Sequence, residues 1–328
     1  MNNYSLYDRL LQFGTIADSS DKIPDAKYAL PSAVNWMKAL ALVAKNSDLT
    51  FKSAHKFYSK INARDNSNAE LNTSFEQLLF GLNQISSLRA MLAVSNKADV
   101  ARAAIMTWYY SIYNSGSAMI AVADGSFQEH HAPTANQWDK IFAANNLTMP
   151  PFSDRISNLL SKTIEEDLSN IRSRGKHSLT NTPRTVEQGW GCLAEYLSGC
   201  ASWEQWKIEQ RVRSQKDFIA LGVSNFKCKD ARTLRDNAFK KNSLSFLHQA
   251  IRYRGKANYR DAIFLAYGKN VSAVVANLVD DLDVVATAFS AMAAAYISRR
   301  VGSSIWSDFI NDLEKKRSFS VSPKSIWS

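Results

Sequence analysis

Arg172 and His177 bound the stretch Arg172-Ser-Arg-Gly-Lys-His177, which follows an apolar stripe of helical period. Histidine, whose ordinary pKa lies near neutrality, can move a proton to or from a ribose 2′-hydroxyl. Arginine can steady the charge that builds on phosphate oxygens. Together they make a metal-free half-site for cleavage by an internal nucleophile, leaving a 2′,3′-cyclic phosphate and a 5′-hydroxyl. In an unbroken helix a five-residue separation sets two side chains about 140° apart. Gly175, between them, can end the helix and bring His177 round. The plainer reading is a helix C-terminus whose basic side chains complement its dipole.

A second chemistry is suggested by charge. Between residues 226 and 260 lie ten basic side chains, Lys227, Lys229, Arg232, Arg235, Lys240, Lys241, Arg252, Arg254, Lys256 and Arg260, against Asp230 and Asp236 alone. The segment therefore holds +8 of the net +10 of the 328-residue chain. Such a field attracts a phosphate polymer. Lys240, Lys241, Arg252, Arg254, Lys256 and Arg260 are the expected phosphate contacts, and Tyr253 and Tyr259 are expected to stack on unpaired bases. The plainer reading is a solvated helix face paired with acidic helices elsewhere.

Other constellations carry less. Asp280, Asp281 and Asp283 could offer hard oxygens to Mg²⁺, but carboxylates so spaced do not share one helix face and no His or Glu lies near them. Polar surface or a kink is the favoured reading there. Cys192, Cys200 and Cys228 have no metal-ligand spacing. There is no glycine-rich phosphate loop and no G-x-G-x-x-G. No metal and no cofactor are expected.

The elements that must position these groups read as helices. With 12 Gly and 7 Pro the chain is poor in turn residues, against a sandwich or barrel. Helical periods run through Ala33–Ala44 with Pro31-Ser32 as its start, Phe75–Val94, Val100–Val122, Ile156–Ser173, Thr185–Ser198, Trp203–Arg213, Leu234–Arg252 and Ser272–Arg300. No stretch alternates apolar and polar residues as a strand does, although Asp217–Val223 could form a short one, and Lys315–Ser328 is expected as a loose tail. The longest apolar run, Val284–Ile297, has 14 residues, short of the about 20 that span a bilayer. It reads as a core helix, or as an oligomer interface if the chain is a structural subunit. The sequence opens on MNNYSLYDRLLQF, without a basic start before an apolar core. A cytoplasmic protein that does not enter a membrane is the expectation.

These stretches together resemble a known family. Tyr109-Tyr-Ser-Ile-Tyr-Asn-Ser-Gly-Ser-Ala-Met-Ile120 resembles the tyrosine-rich helix of HEPN domains. His130-His131 and Trp138–Phe142 resemble that family's loop histidine and next helix, and Leu168–His177 the helix ending in its R-x4-6-H motif. A competing register uses Ala250–Asp261, in which Arg254, Ala257, Asn258 and Tyr259 resemble a closing helix without histidine, making 178–228 an insertion. The resemblance implies an all-α, HEPN-like helical bundle over 75–270, with a helical extension at 1–74 and a helical region and tail at 271–328. It implies a homo-oligomer and a metal-independent endoribonuclease of a prokaryotic defence or toxin system, with an antitoxin or defence subunit as partner. Arg172 would bind phosphate and His177 would transfer a proton. The alternative is a non-catalytic α-helical module that binds nucleic acid or a protein in a defence complex.

Overall fold

The computed structural model describes residues 4–13, 26–127, 129–258, 260–268 and 270–328, and the fold is all-α. The α-helices are α1 (Leu6–Phe13), α2 (Ala26–Asn46), α3 (Phe51–Phe57), α4 (Asn68–Met91), α5 (Ala101–Asp124), α6 (His131–Ile141), α7 (Ser161–Arg172), α8 (Val186–Arg213), α9 (Lys216–Ala220), α10 (Lys229–Lys240), α11 (Phe246–Asn258), α12 (Val271–Val274), α13 (Leu278–Val301) and α14 (Ser303–Lys316). Among the described residues the only extended pairing is a single antiparallel bridge between Ile156 and Leu244.

At the centre lies α13, packed against α2, α3, α4, α5 and α14. A helix apolar on every side belongs in an interior. Ala293, Ala294 and Ala295 are fully buried, and their small side chains let the surrounding helices approach. Phe289 and Met292 fill the space between. The run Val284–Ile297 is therefore occupied by this chain's own helices.

The second layer of the core is aromatic. Trp36 of α2 stacks on Tyr196 of α8 at 4.3 Å between centroids and meets Tyr253 of α11 at 4.8 Å. Trp108 of α5 stands edge-on to Trp36 at 5.9 Å and to Tyr253 at 5.3 Å. A residue from 1–74 thus sits among residues from 75–270, and α13 from 271–328 backs α5. The three stretches share one hydrophobic core.

Several element boundaries differ from expectation. α4 begins at Asn68, ahead of Phe75, because Ser67 and Glu70 form a reciprocal capping box. α2 begins before Pro31, which lies inside the helix. The pattern over 185–213 is one helix, and that over 234–252 is two, broken at 241–245 where Leu244 pairs with Ile156. The same bridge holds 156 extended, so α7 starts only at Ser161. Asp217–Val223 is not a strand: 216–220 is helical, with Phe218 buried and Ile219 exposed beside it. The tail is not loose, since Val321, Ile326 and Trp327 are buried and Trp327 Nε1 donates to Ser290 Oγ at 2.9 Å.

Candidate functional site

Arg172 is the last residue of α7 and its side chain is exposed. Beyond it the chain crosses the face of α8 at very close range. A Cβ on Gly175 would run into the Glu187 carbonyl, and a Cβ on Gly191 into the backbone nitrogen of His177. These two glycines set the path of 175–177. His177 is half-buried, and its Nε2 is enclosed without a hydrogen-bond partner. The arginine engaged in this corner is Arg174, which pairs with Asp154 at 2.8 Å and lies 4.0 Å over the Trp190 ring. Burial pushes the Asp154 carboxyl up, and Arg174 opposes that rise. Among the described residues no hydrogen bond joins Arg172 to His177.

The basic segment divides by helix. On α10 and its flanks, Lys227, Lys229, Arg232, Lys240 and Lys241 are exposed. Arg235 is turned inward, against Asp236 at 2.8 Å and over Phe239 at 5.4 Å. The cations of α11 are used inside the molecule. Arg252 donates to the Gly199 carbonyl at 2.8 Å and lies over Trp203. Lys256 donates to Ser32 Oγ at 2.7 Å. The stacking role expected of Tyr253 fails, because its ring is fully buried and its hydroxyl donates to the Ala33 carbonyl at 3.0 Å. Tyr259 and the side chain of Arg260 lie outside the described residues.

A cluster that residue spacing alone does not reveal forms where α5, α6 and α11 meet. Arg254 Nη1 is 2.8 Å from His131 Nε2, and Tyr109 Oη is 2.8 Å from His131 Nδ1. A guanidinium only donates, so Nε2 must be the unprotonated nitrogen. Nδ1 then carries the hydrogen and donates to the Tyr109 hydroxyl. Tyr113 and Tyr110 surround the imidazole at 4.8 and 6.0 Å between centroids, and Arg254 lies 4.9 Å over the Tyr109 ring. Burial lowers the His131 pKa, and Arg254 and His130 lower it further. Burial raises that of the Tyr109 phenol. The Arg254 Nε is enclosed without a partner. An imidazole, a guanidinium and a phenol within hydrogen-bond reach are the groups that proton transfer beside an anion requires.

About two helical turns further along α6, Asp139 accepts from Arg155 at 3.1 and 2.8 Å and from Ser243 at 2.6 Å. Burial alone would raise its pKa, but the hydrogen bonds from Arg155 and Ser243 outweigh burial and lower it. His248 of α11 is 2.9 Å from Asn136 Oδ1 through Nε2, and its Nδ1 accepts from the Ser245 backbone N–H at 3.2 Å.

The acidic residues near the start of α13 serve packing. Asp281 pairs with Lys38 at 3.6 Å and Asp283 with Arg89 at 3.0 Å, on two different helices. Among the described residues no group of three His, Cys, Asp or Glu side chains is placed to hold a metal ion. Nor is any described helix long and apolar enough to cross a membrane.

No known protein decides the family. The chain matches no family model, no curated protein and no solved structure. The HEPN resemblance rests on the residues quoted for it.

Proposed function

We propose that this protein binds RNA along the outward face of α10. The observation that carries this reading is the row Lys227, Lys229, Arg232, Lys240 and Lys241, all exposed and none in an ion pair among the described residues. Unpaired surface cations gathered on one short helix and its two flanks favour a polyanion over intramolecular partners. The test is fluorescence anisotropy with a labelled single-stranded RNA at several salt concentrations. Five phosphate contacts predict a slope of log affinity on log salt of roughly −3.5. Reversing Lys240 and Lys241 to Glu should weaken binding at low salt. A slope near zero, or unchanged affinity in that variant, would reject the reading.

A second reading is favoured by the cluster at His131. On this reading the protein is a metal-independent endoribonuclease of a prokaryotic defence or toxin system, acting as a homo-oligomer or with a partner subunit. Arg254 would leave His131 to hold the scissile phosphate, and the freed imidazole would take the 2′-hydroxyl proton. Arg172, exposed, and His177, with a free buried nitrogen, are the rival pair for the same roles. Incubation with RNA in EDTA decides among them. Loss of cleavage in His131→Ala alone selects the cluster, loss in His177→Ala alone selects the α7 corner, and intact RNA in the wild type leaves binding as the function.

A further inference from the structure

α6 and α11 lie antiparallel, and each places a histidine on the other. His131, at the start of α6, accepts from Arg254 near the end of α11. His248, near the start of α11, meets Asn136 in the middle of α6. The His131 contact needs a neutral ring, whereas His248 Nε2–H donates to Asn136 Oδ1 in either charge state. If His131 Nε2 were protonated, an N–H would face the guanidinium that now donates to it. Protonation of His248 Nδ1 would cost the bond from the Ser245 N–H, and the Ser245 hydroxyl at 3.1 Å would have to turn, but both lie at the start of α11 and leave the bond to Asn136 in place. We propose that the seam between α6 and α11 carries a proton-operated latch at the start of α6, closed while His131 is neutral and accepts from Arg254, and released when His131 is charged.

The groups facing each ring set the direction. Around His131 stand Arg254 of α11, His130 beside it, and the neutral phenols Tyr109, Tyr110 and Tyr113 of α5. Nothing in that set favours a cation. Around His248 stand Asp139 of α6, Arg155, and Glu204 and Lys207 of α8. Asp139 and Glu204 attract a proton to it, but Asp139 is already bonded to Arg155 and Ser243, and Lys207 holds Glu204 at 2.8 Å. Burial, the largest influence on both rings, lowers both pKa values. Beneath the seam lie Trp138 of α6, packed at 6.0 Å from Phe289, and Leu247 of α11. Release would uncover them. The latch is independent of any RNA chemistry, because it follows from the two helices and their bonds alone.

Amide exchange read by mass spectrometry on the full chain tests it, at about pH 7.5 and about pH 5.5, with rates corrected for intrinsic pH dependence. In the wild type the amides of 131–141 should lose protection about ten-fold or more at the lower pH, while those of α4 and α13 hold. His131→Gln with His248→Gln keeps an acceptor and a donor without a charge to gain, and α6 should then respond no more than α13 does. An α6 response in the wild type no larger than that of α13 overturns the latch, as does an equal response in the double variant. Should that variant fold poorly, the imidazole signals of the wild type decide by NMR: titration of His131 at or above the ordinary value in the folded chain overturns it, and titration below that value with loss of α6 signals in the same step supports it.

Discussion

Trp327 Nε1 donates to Ser290 Oγ at 2.9 Å inside the molecule, so the segment after α14 is anchored to the middle of α13. Trp306 and Phe309 of α14 flank the same indole at 6.2 and 6.3 Å between centroids. Trp327→Ala should cost about 3–5 kcal/mol, by lost burial and the cavity left behind. Urea denaturation measures this. A loss under about 1 kcal/mol would mean that the anchor contributes little to stability.

Arg254 lowers the pKa of His131 through its charge, after burial. Arg254→Gln keeps a donor towards Nε2 and removes the cation. The His131 imidazole should then titrate closer to the ordinary histidine value of 6.5. Histidine NMR follows the shift, and an unmoved or lowered value would contradict it.

Stability should fall in mild acid. His131 and His248 are both held below the ordinary value of 6.5 in the folded chain. As pH drops below that value the unfolded chain takes up protons first, so each step down in pH favours unfolding until the folded-state values are passed. At higher pH both rings are neutral in either state and give no slope. Urea midpoints across about pH 5 to 8 check this, and the double glutamine variant should show a shallower slope, keeping the part that His55, also held low, contributes.

Asp139 and Arg155 form a two-bond pair with little exposure, so breaking one side strands the other. Asp139→Ala should cost about 3 kcal/mol or more. Asp308, an exposed carboxylate of α14, should cost under about 0.5 kcal/mol when changed to Ala. Comparable losses for the two would show that the pair is not special.

Tyr253→Phe removes one buried hydroxyl bonded to the Ala33 carbonyl and should cost about 1 kcal/mol with RNA affinity unchanged. Lys240→Glu should do the reverse. If Tyr253→Phe weakened RNA binding without loss of stability, the placement of the binding face on α10 would be wrong.

Periodicity located the long helices because burial on one stripe leaves its mark at every third or fourth residue. It could not say which cations face outward. Lys240 and Arg254 read alike in sequence, yet one ends in solvent and the other beside His131, 123 positions away in the chain. That pairing depends on how three helices meet, and no local pattern records it. The resemblance did quote His131 and Arg254, but in separate registers. The tail misled because Ser-rich, basic composition hides Val321, Ile326 and Trp327, whose burial is decided by α13 and α14. At 217–223 apolar residues suggested a strand, but only Phe218 is fully turned into the core, against the Phe226 ring at 5.0 Å.

The position of α13 in chain order bears on synthesis. α2, α4 and α5 all close around a helix that the ribosome makes long after them. At about 5–20 residues per second, α5 waits roughly 10–35 s before α13 emerges. Through that interval the sides of α2, α4 and α5 that pack on α13 have no permanent cover, so the nascent chain is a ready client for chaperones and a target for proteases. Folding of the finished chain should be slow for a helical protein, because its central contacts join residues far apart in sequence.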